Sequence, residues 1–191
     1  FGYIELSTFG TDTANQVEEA LKSFKQANVQ TLVLDLRDNG GGYLTAATDI
    51  LDLFFSSNEV IYQMKEKNSA AKKYYAESDK KYEFENGYIL VNENTASASE
   101  ILAGALKDLG KAKTVGTTTY GKGVIQQILK LNDGSGLKIT IEEYQTPNKN
   151  KINKVGIEPD EKVELPDSVE SIFTIKESED TQLQKAIDML K

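Results

Sequence analysis

The run TLVLDL at residues 31–36, followed at once by RDNGGG, restricts the fold more than any other stretch. So short and nearly continuous an apolar run marks a strand buried on both faces, which needs other elements packed above and below it. Candidates for those elements stand on either side. TANQVEEALKSFKQANV (13–29) brings Val17, Ala20, Leu21 and Phe24 onto one helical face, and Thr13 with Gln16 fits a capping box at its start. YLTAATDILDLFF (43–55) spaces Leu44, Ala47, Leu51 and Phe54 as a second helix. With strands read at FGYIELSTF (1–9) and EVIYQM (59–64), this is the strand, helix, strand, helix, strand rhythm of an α/β domain.

Residues 65–85 are polar and rich in lysine and tyrosine, and are expected to form a surface excursion with one edge strand. GYILVNEN (87–94) is another apolar strand. TASASEILAGALKDLG (95–110) is a helix that stops at Gly110, and AKTVG (112–116) is a short strand. VIQQILKL (124–131) and LKITIEEYQT (137–146) flank NDGSG as a β-hairpin. DTQLQKAIDMLK (180–191) places Leu183, Ala186, Ile187 and Leu190 on one face of a closing helix. At 191 residues and 39% hydrophobic content, the chain is read as a single domain, 1–191, without internal repeats.

Composition narrows the function. A formal net charge of −8 argues against a nucleic-acid surface, because neutralising phosphates takes clustered Lys and Arg; the expected partner is protein or peptide. No window approaches the roughly 18 to 20 uninterrupted apolar residues needed to cross a bilayer. No leader pattern stands at the start, and a chain that opens on a strand at Phe1 is expected to be a fragment of a longer precursor. Cysteine and histidine are both missing, which removes a thiolate nucleophile, a Cys-ligated zinc, a Ser/His/Asp triad and an HExxH site. Proton transfer would fall to Lys, Asp, Glu, Tyr or a supplied cofactor.

GTTTYGKGVIQQ (116–127) has the outline of a phosphate-binding loop, but Gly123 stands where the magnesium-binding hydroxyl belongs. The β-branched, alternating VIQQ also reads as a strand, where that loop opens a helix. Lys122 is then either a solvated loop lysine or a catalytic amine. A neutral amine can take the proton of a serine hydroxyl if burial brings its pKa from about 10.4 to roughly 7 or 8, at about 4 kcal/mol. TASASE supplies the hydroxyl. A serine at a helix N-terminus gains from the positive end of the dipole and from unpaired N–H groups that receive an oxyanion. Ser97 and Ser99 both qualify, with simple capping as the competing role of either.

These segments together resemble a known family. NENTASASEILAGALKDLGKAKTVGTTTYGKGVIQQ (92–127) is similar to the core of the C-terminal processing (tail-specific) serine peptidases. GYIEL, LVLDLRDNGGG, VGIEPD and DTQLQKAI carry the likeness over nearly the whole chain. The resemblance implies an α/β, Clp protease/crotonase-like core of mixed β-sheet with packed helices and a β-hairpin extension. It also implies a serine endopeptidase that uses a Ser/Lys dyad, with no cofactor or metal, to cut proteins near their C-termini. Carried onto this sequence, Ser97 is the nucleophile, Lys122 the base and Gln126 the group that helps hold the amine. Ala98 gives one oxyanion N–H and a glycine among Gly40, Gly41 and Gly42 the other, with Gly42 preferred.

Asp108 falls at a position discussed as an acidic partner in parts of the family. Eleven positions beyond Ser97 on a helix, it would lie about three turns away, and is read as structural. Departures from the family are NGGG for the commoner NPGG, and Val124 where Ser or Thr is usual. Nothing in the chain resembles the PDZ domain that precedes the family's core, so one is expected in the full-length protein, where it would bind substrate tails by strand addition. An extracytoplasmic compartment is implied, and the oligomeric state stays open. Two other readings make different demands. A crotonase-like acyl-CoA enzyme would bind coenzyme A and have no need of Ser97, and a non-catalytic peptide-binding module would have no need of Lys122.

Overall fold

The computed structural model describes residues 1–66, 69–169 and 171–190. Positions 67 and 68 of the expected 65–85 excursion, and position 191 of the expected closing helix, lie outside the described residues. Strand β2 (Thr31–Asp35), the run that opened the sequence reading, is buried from Leu32 onward. It pairs in parallel with β1 (Gly2–Glu5) on one side and β5 (Asn86–Val91) on the other. With β6 (Lys113–Gly116) and the two-residue β9 (Glu161–Lys162), these make a five-stranded, all-parallel sheet in the order β1-β2-β5-β6-β9.

Side-chain alternation along the strands explains the two layers that cover this sheet. Leu32, Leu34, Ile89 and Val91 face a large cluster that includes Leu21 of α1 (Thr13–Gln26), Ile50 and Leu51 of α2 (Leu44–Asp52), and Leu102 of α3 (Ala98–Asp108). Val33, Leu90 and Val115 face the other way, where Ala186 of α4 (Thr181–Asp188) is buried against them. Each fully buried aliphatic of this kind contributes roughly 1.5 to 3 kcal/mol, so both layers are needed to hold the strands. α1 begins differently from expectation. Asp12 is its N-cap, and the Thr13 hydroxyl accepts from Gly10 N–H (2.9 Å) and donates to the Thr8 carbonyl, so no Thr13–Gln16 capping box forms. The preceding loop outcompetes the helix for that hydroxyl.

Parallel and antiparallel pairing are divided between two sheets. The second is antiparallel, in the order β4-β3-β8-β7, from β3 (Val60–Lys65), β4 (Lys72–Tyr75), β7 (Val124–Lys130) and β8 (Gly136–Gln145). The strand at 59–64 thus leaves the parallel sheet instead of extending its rhythm, because hydrophobic period identifies a strand but not its hydrogen-bonding neighbour. β7 and β8 form the hairpin read from NDGSG.

A buried ion cluster locks the closing helix to the first sheet. Arg37 contacts Asp35 at 2.6 Å and Asp180, the N-cap of α4, at 2.8 Å; the Tyr3 hydroxyl donates to Asp35 at 2.7 Å. Burial, then the Asp35 charge, pushes the Tyr3 hydroxyl well above its ordinary range. Loops leave the carboxyl ends of the neighbouring strands β2, β5 and β6 on the same edge of the sheet. That edge is where open parallel sheets place their ligands.

Candidate active site

The loop after β2 and the turn after β5 are stapled together by polar side chains. Asn39 is fully buried; its carbonyl accepts from Ala96 N–H (3.0 Å) and from the Ser99 hydroxyl (2.9 Å), and its side-chain oxygen accepts from Gly41 N–H (2.8 Å). Asp38 accepts from the amides of Asn92 (2.8 Å) and Asn94 (2.7 Å). Of the two serines read as candidates, Ser99 is therefore buried and committed to the loop, whereas Ser97 is half-buried at the head of α3.

Ser97 carries the unusual backbone. Its φ of 61° and ψ of −118° lie where L-residues are rarely found, a conformation that costs of order 1 to 3 kcal/mol and persists only when its surroundings impose it. Gly41 packs directly against it. A Cβ added there would lie 2.9 Å from Ser97 Cβ and 2.8 Å from the Ala96 carbonyl, so only glycine lets the loop close on the serine. The N–H groups of Ala98, at the first turn of α3, and of Gly42 find no protein acceptor among the described residues, while that of Gly41 is taken by Asn39.

The loop after β6 approaches from the other side. Tyr120 N–H donates to the Thr95 carbonyl (3.0 Å), and Lys154 N–H donates to the Gly121 carbonyl (2.8 Å). What binds this loop to the serine turn is a residue the sequence reading passed over. Glu100, fully buried in the first turn of α3, accepts four hydrogen bonds. Oε1 takes the Thr119 hydroxyl (2.6 Å) and Gly121 N–H (2.7 Å); Oε2 takes Ser97 N–H (2.9 Å) and Lys122 N–H (2.8 Å). The backbone nitrogens of Ser97 and Lys122 can then be no farther apart than two hydrogen bonds laid end to end. The signal was present in SASE, the S-x-x-E signature of a capping box, whose glutamate reaches back to the N-cap N–H.

Lys122 itself extends to solvent, and so does Gln126 on β7; among the described residues no hydrogen bond joins the Lys122 amine to either Ser97 or Gln126. Asp108 lies at the far end of α3, where it accepts from Asn148 N–H (2.9 Å) and the Asn150 amide (3.1 Å) and holds the turn after β8. The loop that resembled a phosphate site continues into β7 rather than a helix. Among the described residues, no group of three or more Asp and Glu side chains comes together in a form that could hold a metal.

Comparison with known proteins gives a consistent result. The profile of peptidase family S41 matches residues 1–163. The carboxyl-terminal-processing protease of Synechocystis sp. is 40% identical over 192 residues, covering 99% of this chain and 43% of that protein. The chloroplastic carboxyl-terminal-processing peptidase 2 of Arabidopsis thaliana is 42% identical over 159 residues, covering 83% of this chain and 31% of that one. Among solved structures, the photosystem II D1 C-terminal processing protease superposes with a TM-score of 0.76 at 35% identity, over 86% of this chain and 43% of that one. The chain spans less than half the length of these relatives. No helix among the described residues is long and apolar enough to cross a membrane.

Proposed function

Because the chain belongs to peptidase family S41, the family of the carboxyl-terminal-processing serine peptidases, we propose that residues 1–191 form a single peptidase core whose Ser97 and Lys122 make a Ser/Lys dyad. The observation that supports this is the shared Glu100 Oε2, which accepts from the backbone N–H of both residues. In the proposed reaction the neutral Lys122 amine takes the Ser97 proton, and Oγ attacks the scissile carbonyl. The N–H groups of Ala98 and Gly42 receive the tetrahedral oxyanion. Protonated Lys122 then gives its proton to the departing amine as the C–N bond breaks, and water hydrolyses the acyl-serine.

Lys122 and Gln126 stand exposed, so the desolvation that a neutral base needs is supplied when the substrate chain covers the loop, with Gln126 orienting the amine without adding charge. Gly41 packs on Ser97 but has a committed N–H, which favours Gly42 as the second oxyanion donor. The proposed substrates are protein C-terminal tails, a reading the names of the relatives motivate; delivery by a PDZ domain and an extracytoplasmic compartment rest on the family resemblance. The test is hydrolysis of β-casein by the full-length protein and by its Ser97→Ala and Lys122→Ala variants. Both substitutions should abolish cleavage, and undiminished turnover in either would sink the dyad.

A further inference from the structure

We propose that Glu100 and Thr119 are positioning residues that set the lysine loop at its working distance from the nucleophile; this deepens the Ser97–Lys122 reading and rests on it. The structure gives Glu100 a task that helix capping alone would not require. A capping glutamate needs to reach only the N-cap N–H, here that of Ser97. This one also accepts from three donors of a loop about twenty residues away, Thr119 Oγ1, Gly121 N–H and Lys122 N–H, and each carboxylate oxygen is used twice. Its place in the first turn of α3 puts its negative charge at the positive end of the helix dipole, and the backbone donors replace the water it has lost.

Thr119 completes the clamp. Its hydroxyl, buried with the rest of the side chain, donates to Glu100 Oε1 and accepts from Ile157 N–H at 2.7 Å, while Thr119 N–H donates to the Ile157 carbonyl at 3.2 Å. The lysine loop is thereby held between α3 and the 152–157 turn. Gly156 (φ 77°) stands so close to the Thr119 carbonyl that a side chain there would push the loop away. Three hydrogen bonds at Thr119 and one each from the N–H groups of Gly121 and Lys122 hold the Lys122 backbone, while its side chain is exposed. The backbones of base and nucleophile are thus tied to one carboxylate oxygen, which also holds Ser97 in its strained conformation.

The isosteric pair Thr119→Val and Thr119→Ser separates this role from packing, because valine keeps the shape and loses the hydroxyl while serine keeps the hydroxyl and loses a methyl. Steady-state kinetics on β-casein would be run with the full-length protein, below the thermal transition of every variant, beside Glu100→Gln, Ser97→Ala and Lys122→Ala. Thr119→Val should lower kcat about tenfold or more with KM within about threefold, Thr119→Ser should return kcat to within about threefold of the parent, and Glu100→Gln should lower kcat about a hundredfold. If Thr119→Val and Glu100→Gln keep kcat within about threefold while Ser97→Ala and Lys122→Ala are dead, the dyad stands and the positioning role is wrong. Equal losses in the valine and serine variants, or losses confined to KM, likewise overturn it, since they report packing or substrate binding. If Ser97→Ala or Lys122→Ala remains active, the dyad reading falls first and the clamp has nothing to position.

Discussion

At residue scale, Ser97 is one of five non-glycine residues with positive φ among the described residues, and the one at the candidate site between the serine turn and the lysine loop. Ser97 holds a positive φ that glycine would adopt freely, so Ser97→Gly should raise the unfolding free energy by about 1 kcal/mol in urea denaturation, whereas Ser97→Ala, which keeps the Cβ, should not. A stabilising change that abolishes activity is the signature of strain retained for function. Gly41 is the reciprocal case. With φ of 98° and no room for a Cβ between the Ala96 carbonyl and Ser97, Gly41→Ala should cost about 1 to 3 kcal/mol and reduce kcat by displacing the serine, measurable by denaturation and by β-casein hydrolysis. Composition excluded cysteine and histidine chemistry but left Ser97 and Ser99 both open and Lys122 with two possible roles; it was the family resemblance that singled out Ser97 and Lys122. Glu100 was legible too, as the fourth letter of SASE. Thr119 was not, since its meaning lies in bonds to Glu100 and Ile157, which are distant in sequence and adjacent only once the loops are folded together.

Elements hold together here through polar contacts that titration can probe. The α4 N-cap Asp180 is also a partner of buried Arg37, whose guanidinium loses water on burial but is held above its ordinary value by hydrogen bonds to Asp35 and Asp180. Removing that partner leaves a buried charge short of a counter-ion, and Asp180→Ala should cost about 3 to 5 kcal/mol by urea denaturation. Asp160 ties β6 to the end of α3. Burial alone would raise its carboxyl, but the N–H and hydroxyl of Thr114 and the Lys107 ammonium hold it below 3.8. A carboxylate depressed on folding contributes stability above its unfolded pKa and loses it as pH falls through the folded value, so this contribution should fade below about pH 4 and be missing in Asp160→Asn.

The antiparallel sheet responds at the opposite end of the pH scale. Tyr62 stacks on Tyr74 at 4.5 Å and meets Tyr144 edge-on at 6.0 Å. Burial, then the Glu142 charge, pushes the Tyr144 hydroxyl up to about 12 from 10.0. A phenol raised on folding favours the native state until pH passes its unfolded value. Stability should therefore fall between about pH 10 and 12, and Tyr144→Phe should flatten that limb of a thermal-midpoint profile.

At the scale of the whole molecule, the chain supplies a sheet edge with three assembled loops, yet leaves the Lys122 amine in solvent. It also spans less than half of its curated relatives. The sequence by itself determined the kinds of element and most of their order: the doubly buried β2, the helices whose apolar residues recur at helical spacing and the hairpin around NDGSG. These follow from local periodicity and turn chemistry, which are properties of neighbouring residues, whereas the two residues proposed as the dyad were implied by the family resemblance. The tertiary structure alone decided that the strand at 60–65 joins a second, antiparallel sheet, that Thr13 binds a loop instead of capping α1, and that a single carboxylate holds the serine turn and the lysine loop together. Hydrogen-bonding partners far apart in sequence are chosen by packing, and packing exists only when the whole chain has closed around its core.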